Sequence, residues 1–230
     1  MKLEELKKIF NLNDNQVKQL DTYAKFLVEY NEKVNLTAIT DYEEIIEKHF
    51  YDSLLPLLHK DINGNLVDVG TGAGFPGVVI KIVKPDLKVL LLEPLNKRCV
   101  FLNELINKLE LKDIEVLNIR GEDYSLKHRE EYDFVTARAV TNLNALIEIC
   151  GALVKVDGYF IALRGKDGLN ELDYASLAIE KMGFEKEEVF KDELKDGSLR
   201  TIAFLRKNTK TVKTFPRKYS IIKHDPICKK

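Results

Sequence analysis

From Asn65 onward the chain alternates two kinds of segment, and this alternation constrains its fold more than any other feature. Short apolar runs at Leu66–Val69, Lys88–Leu92, Ile114–Leu117, Phe134–Ala137 and Tyr159–Leu163 are spaced by segments of helical periodicity near Pro76–Val83, Asn96–Leu109, Asn142–Cys150 and Leu169–Met182. Apolar strands joined through helices lie parallel, with both faces of the sheet covered. The last two runs break the pattern. Phe184–Phe190 and Arg200–Leu205 flank Lys195-Asp196-Gly197-Ser198, too short for a crossover helix, so they are expected to pair antiparallel.

The expected architecture is therefore α/β: a Rossmann-like, mostly parallel sheet closed by a C-terminal antiparallel hairpin. Such a closing strand resembles class I S-adenosylmethionine-dependent methyltransferases more than nicotinamide-binding enzymes. Before the sheet come helices. Val17, Leu20, Ala24, Leu27 and Val28 recur at helical spacing, with Asn13 and Gln16 placed as a capping box, and a second helix is expected from Tyr42 to Leu55, disturbed at Pro56. Three regions follow: an N-terminal helical segment packed on the core (1–62), the Rossmann-like domain (63–206) and a basic C-terminal tail (207–230).

Composition narrows the class. Hydrophobic residues make up 45% and charged residues 32% of the 230, and no stretch approaches the about 20 apolar residues of a membrane span. The polar start Met1-Lys2-Leu3-Glu4-Glu5 lacks the apolar core of a secretion signal, so a cytoplasmic location is expected. Cys99, Cys150 and Cys228 lie far apart and read as free thiols. His49, His59, His128 and His224 are scattered without a HExxH pattern, so no metal is expected.

The strongest local signal is Val67-Asp68-Val69-Gly70-Thr71-Gly72-Ala73-Gly74-Phe75-Pro76-Gly77, leaving a strand and entering a helix. Glycines there let the backbone turn sharply and a ligand approach, while the helix N-terminus offers unpaired N–H groups. Gly72-x-Gly74-x-x-Gly77 satisfies the dinucleotide pattern, which leaves an NAD-dependent oxidoreductase as a rival. Written as Asp68-x-Gly70-x-Gly72-x-Gly74, the loop instead has the form typical of methyltransferases, in which the acidic residue sits close to the bound methionine end, so Asp68, Gly70, Gly72 and Gly74 are expected to bind the cofactor. Glu93 ends the next strand at the spacing where a carboxylate accepts ribose hydroxyls under either cofactor, and Arg120-Gly121-Glu122-Asp123 is an acidic loop suited to an adenine edge.

Together with this loop, Asn96-Lys97-Arg98, Ala137-Arg138-Ala139 and Ala162-Leu163-Arg164-Gly165-Lys166 resemble the bacterial 16S ribosomal RNA (guanine(527)-N7)-methyltransferases, also called glucose-inhibited division protein B. Upstream, Asn31-Glu-Lys-Val-Asn35-Leu36-Thr37-Ala38-Ile39 and His49-Phe-Tyr-Asp52-Ser53-Leu54 are similar to that family's helical segment. One departure is visible: the family's Gly-Thr-Pro after Pro-Arg-Lys is replaced here by Tyr219-Ser220-Ile221. The resemblance implies S-adenosylmethionine as cofactor, with Gly70, Phe75, Gly121, Glu122 and Arg138 around it, and 16S rRNA or the small ribosomal subunit as substrate for a monomeric enzyme.

Guanine N7 presents an in-plane lone pair, so its methylation needs position rather than a general base. Arg138, leaving the fourth strand at the carboxyl edge of the sheet, is the expected positioning residue, contacting guanine O6, a phosphate or a carboxylate of the cofactor pocket. Arg164 and Lys166 after the fifth strand are candidate substrate-side cations. Phe75 and Tyr124 are candidates to stack on a base or to sit in the core. A non-catalytic RNA-binding protein of the same fold is the second rival.

Formal net charge is −1, which on its face disfavours a nucleic-acid partner. Between Arg206 and Lys230, however, nine basic residues face one acid, so a body of −9 carries a tail of +8. Phe215 and Tyr219 are interleaved with these cations, and Arg217 and Lys218 are the residues of this tail expected to meet RNA.

Overall fold

The computed structural model describes residues 1–138 and 141–228. Ala139, beside Arg138, and Lys229 and Lys230, at the end of the tail, lie outside the described residues.

Helices α1 (Leu3–Phe10) and α2 (Asp14–Asn31) open the chain. The Asn13 side chain accepts from the Gln16 N–H and the Gln16 side chain accepts from the Asn13 N–H, the reciprocal cap expected there. The expected second helix is not regular. It begins as α3 (Tyr42–Glu44), widens into a π-helical stretch at Ile45–Tyr51, returns as α4 (Asp52–Leu54) and tightens to a 3-10 turn at Leu55–Leu58 around Pro56. In the wide stretch the Asp52 N–H reaches back to the Glu47 carbonyl, five residues away. Such π stretches recur at functional sites, and this one carries His49.

The alternation follows: β1 (Asn65–Val69), α5 (Gly77–Val83), β2 (Lys88–Leu92), α6 (Asn96–Lys108), β3 (Ile114–Leu117), α7 (Gly121–Ser125), β4 (Tyr132–Arg138), α8 (Leu143–Gly151) and β5 (Val154–Arg164). The helix expected at Leu169–Met182 is divided at Ala175 into α9 (Gly168–Tyr174) and α10 (Ser176–Lys181). Then come β6 (Phe184–Glu193), β7 (Leu199–Lys207) and α11 (Tyr219–His224). Among the described residues, seven strands have the order β3-β2-β1-β4-β5-β7-β6. β1 to β5 pair in parallel, while β7 runs antiparallel to both β5 and β6. The hairpin forms where the short Lys195–Ser198 link requires it.

Successive residues of a strand face opposite sides, and β2 shows why both sides must be covered. Val89 and Leu91 join a core shared with α1, α2, α5 and α6, while Leu90 and Leu92 join a second core under α8 to α11. Leu20, Tyr23, Leu27 and Phe50 of the N-terminal helices belong to the first of these cores, together with Val78, Phe101 and Leu102. The strand order reverses between β1, which pairs with β2, and β4. The crevice at the carboxyl ends of these strands is where open α/β sheets bind ligands.

The C-terminal segment differs most from its composition. Lys207, Thr211, Ile222 and Ile227 are buried, and the chain after β7 runs back over α8. Lys207 is 0% exposed, donating to the carbonyls of Gly151 and Met182 and to the Thr211 hydroxyl. Arg217 grips buried Glu148 through Nε at 2.9 Å and Nη2 at 2.7 Å. These two cations hold the segment down, which leaves Lys210, Lys213, Lys218 and Lys223 exposed. The strap is basic, but part of its charge faces inward.

Burial lowers the Lys207 ammonium from 10.5 to about 7. An unfolded lysine stays protonated to higher pH, so between about pH 7 and 10.5 the unfolded chain binds the extra proton and stability rises with pH. Replacing Lys207 with methionine is expected to remove that rise. Denaturant unfolding of both proteins from pH 6 to 9.5 checks it; parallel curves would place a normal ammonium at Lys207.

Candidate active site

The loop after β1 turns through Gly70, Gly72 and Gly74, all at positive φ. Asp68, fully buried, lies beneath it: one carboxylate oxygen accepts the Thr71 hydroxyl at 2.6 Å and the Gly77 N–H at 2.8 Å, while the other has no partner. Burial raises this acid from 3.8 to about 6 despite the two donors. Asp68 thus ties the two ends of the loop together and does not line the cavity above it. Behind the loop, the Tyr23 hydroxyl of α2 donates to the Ala73 carbonyl, and its ring stacks on Phe75 at 5.5 Å.

Above the loop is a cavity of about 330 Å³, walled by Leu36, Thr37, His49, Gly70 to Ala73, Phe75, Glu93, Arg98 and Arg138 among others. A Cβ added at Gly72 would meet nothing within 4 Å, so the loop presents bare backbone to open space. Glu93 directly follows β2, its carboxylate accepting the N–H groups of Gly72 and Leu95, each at 2.9 Å. Gly70, Gly72, Phe75, Glu93 and Arg138 meet at this cavity. Gly74 does not: a Cβ there would run into Tyr23 and Val78. Gly121 and Glu122 lie at the start of α7, next to the end of β1; a Cβ on Gly121 would come within 2.6 Å of Val69. Glu122 is buried, with Oε1 lacking a hydrogen bond and 3.9 Å from Arg120 Nη1, and burial raises its pKa. Tyr124 turns to the opposite edge, bonding Tyr132 beside the strand starts Asn65 and Lys88.

A second cavity, of about 470 Å³, adjoins the first and shares His49 and Arg138 with it. Lys48, Asp52, Arg164 and Arg200 complete its polar wall. Arg164 is braced by Glu171 and the Thr141 carbonyl, whereas Lys166 is exposed outside the lining. Arg138 stands between the cavities. Nη1 donates to Asp52 at 3.0 Å and to the Lys48 carbonyl at 3.2 Å, Nη2 donates to His49 at 3.2 Å, and the guanidinium lies 4.9 Å over the Phe75 ring.

His49, stacked on Phe75 at 4.4 Å, is lowered by burial and by the Arg138 charge to about 3. It is neutral at any physiological pH. Because Arg138 can only donate, Nδ1 accepts, and Nε2–H donates to the Thr37 hydroxyl at 2.9 Å. Thr37 also accepts from the Ile39 N–H at 3.1 Å, which fills its lone pairs and leaves its own proton to donate at the cavity wall. Asn31 fixes this loop by accepting from the N–H groups of Leu36 and Thr37. Thr37, His49, Asp52, Arg98 and Arg200 were not singled out as site residues by sequence spacing. The first four lie inside stretches that carried the family resemblance, and Arg200 sits in a strand with no motif around it.

A sheet with a reversed seventh strand and a glycine-rich loop opening at the β1–β4 reversal defines the class I methyltransferase fold. It is shared with M. jannaschii TYW2 in complex with AdoMet (TM-score 0.57, 15% identity, 74% of this chain and 79% of that one). It is also shared with a 16S rRNA (adenine(1408)-N(1))-methyltransferase variant from Catenulisporales acidiphilia (TM-score 0.53, 14% identity, 67% and 87%). A family model described as rRNA small subunit methyltransferase G matches residues 16–210, and the chain belongs to that family. Relatives named ribosomal RNA small subunit methyltransferase G include one from Clostridium botulinum (strain Loch Maree / Type A3), 43% identical over 94% of this chain and 93% of its own. Another, from Staphylococcus carnosus (strain TM300), is 44% identical over 95% and 93%.

Proposed function

We propose that this protein transfers a methyl group from S-adenosylmethionine to N7 of a guanine in 16S rRNA. The observation that carries this reading is the pair of adjoining cavities divided by Arg138, with the bare loop on one side and a cationic basin on the other.

The first cavity fits the cofactor. Glu93 retains lone pairs for ribose hydroxyls, the open space at Gly72 admits a ligand against backbone, and the Thr37 hydroxyl offers a donor, while Glu122, outside the cavity wall at the start of α7, keeps Oε1 free of hydrogen bonds to accept an exocyclic amine. When bound, S-adenosylmethionine supplies both the activated methyl and the leaving group. The protein's part is to orient and to exclude water. Arg138, fixed by Asp52, Lys48, His49 and Phe75, presents a rigid cation at the junction. No general base is required, and His49 is a poor one, since its Nδ1 is occupied by a guanidinium.

Arg164 and Arg200 face the RNA side of the junction, with exposed Lys166 beyond them and Lys218 on the outer face of the strap. Arg217 acts through Glu148, holding that strap in place. None of the described helices is long and apolar enough to cross a membrane, and no group of three or more His, Cys, Asp or Glu is placed for a metal among the described residues. A monomer acting in the cytoplasm on rRNA or the assembling subunit completes the proposal.

Radiolabelled transfer to under-modified small-subunit rRNA is the direct test, followed by nucleoside analysis. The expected product is a single 7-methylguanosine that is missing from cells lacking the protein. Thermal stabilisation by NAD alone would return the loop to an oxidoreductase. Cofactor binding without transfer to any rRNA or subunit preparation would leave an RNA-binding protein.

A further inference from the structure

The second cavity holds one feature that a phosphate clamp would not. Among cations from Lys48, Arg138, Arg164 and Arg200, the wall contains one carboxylate, Asp52, whose side chain is only 9% exposed. Oδ2 accepts from Arg138 Nη1 at 3.0 Å and Oδ1 accepts from Arg200 Nε at 2.7 Å. A carboxylate offers about four lone-pair positions, so two remain after both arginines are counted. An acid in that place repels a phosphate and attracts a ligand edge bearing N–H donors.

Enzymes that modify a base in RNA read its Watson–Crick edge in a pocket. Of the four RNA bases, guanine alone presents two adjacent donors there, N1–H and the N2 amino group. Its O6 lies between that edge and N7. The wall has the same sequence of groups: Asp52 in the second cavity, Arg138 at the junction, and the bare glycine loop beyond.

Building on the function proposed above, we propose that Asp52 is the specificity-determining residue of the substrate site, accepting hydrogen bonds from N1–H and N2–H of the target guanine. Arg138 then meets O6, and N7 faces the first cavity. Arg200 holds Asp52 in position from β7, which gives the reversed strand a part in base selection. Adenine, with an acceptor at N1, sets a lone pair against the Asp52 carboxylate and is rejected.

Small-subunit particles reconstituted with a single inosine at the methylated position test this, because inosine lacks only the N2 amino group and keeps N7. Wild-type protein is expected to methylate the guanosine particle with kcat/KM about 10- to 100-fold above the inosine particle, the cost of leaving one buried acceptor without its donor. In Asp52→Asn the two rates should fall within about 3-fold of each other, below the wild-type rate on guanosine. Equal wild-type rates on both particles would overturn the proposal with no variant needed. A variant that loses activity on both particles equally, keeping the wild-type ratio, would reduce Asp52 to a brace for Arg138 and Arg200. Failure of wild-type protein to methylate the guanosine particle at all would instead sink the guanine-N7 reading itself.

Discussion

Gly72→Val is expected to lower S-adenosylmethionine affinity at least about 100-fold while the chain still folds. Gly72 has φ +63°, in the left-handed region, and an added Cβ meets nothing within 4 Å because it points into the cavity above the loop. A branched side chain there fills the space the ligand needs, and the strained backbone adds about 1–3 kcal/mol that the loop relieves by shifting away from Glu93. Gly77 provides the contrast. Its Cβ would fall 2.5 Å from Leu91 and 2.9 Å from the Asp68 carboxylate, so Gly77→Ala should strike stability first. Calorimetric titration with thermal unfolding separates the two effects. Affinity within about 3-fold of wild type in the Gly72 variant would mean the cofactor sits elsewhere.

For Arg138→Ala the expected loss is about 1,000-fold in methyl transfer, about 4 kcal/mol of transition-state positioning. The change in folding stability should be only about 1–3 kcal/mol. Removing one partner of a buried pair is severe when it strands a charge, but Asp52 keeps Arg200 at 2.7 Å. Arg138→Lys should restore little, because one ammonium cannot reach Asp52, His49 and the Lys48 carbonyl in the plane of a guanidinium. His49 provides an independent readout. Burial and the Arg138 charge both depress its pKa, so removing the charge should let the imidazole titrate at higher pH than about 3, visible by NMR. Activity and stability lost in proportion, with His49 unmoved, would make Arg138 a structural residue only.

Much of the scaffold was legible because local chemistry dictated it. The apolar runs became β1 to β5, the capping box of Asn13 and Gln16 formed, and Lys195–Ser198 could only turn a hairpin. The glycine loop and Glu93 were readable for the same reason: a sharp turn and a strand-end acid are properties of a few adjacent residues. Arg138 could be placed at the carboxyl edge, but its partners could not. Asp52, Arg138 and Arg200 are 86 and 62 positions apart along the chain and meet only after a π-helical stretch, a parallel strand and a reversed strand are packed together.

The basic tail shows the boundary between the two kinds of information. Its charge was countable from the residues, yet charge does not say which way a side chain faces. Lys207 is buried with its ammonium over the Phe184 ring of the second core, and Arg217 is held by Glu148, 69 residues earlier in the chain. Sequence alone therefore determined the class of fold, the glycine-rich loop after β1 and the position of one arginine. Only the tertiary structure decided that Asp68 braces the loop from below, that His49 is neutral and that Asp52 joins two arginines. Those properties are set by burial and by partners distant in the chain, and no local spacing encodes them.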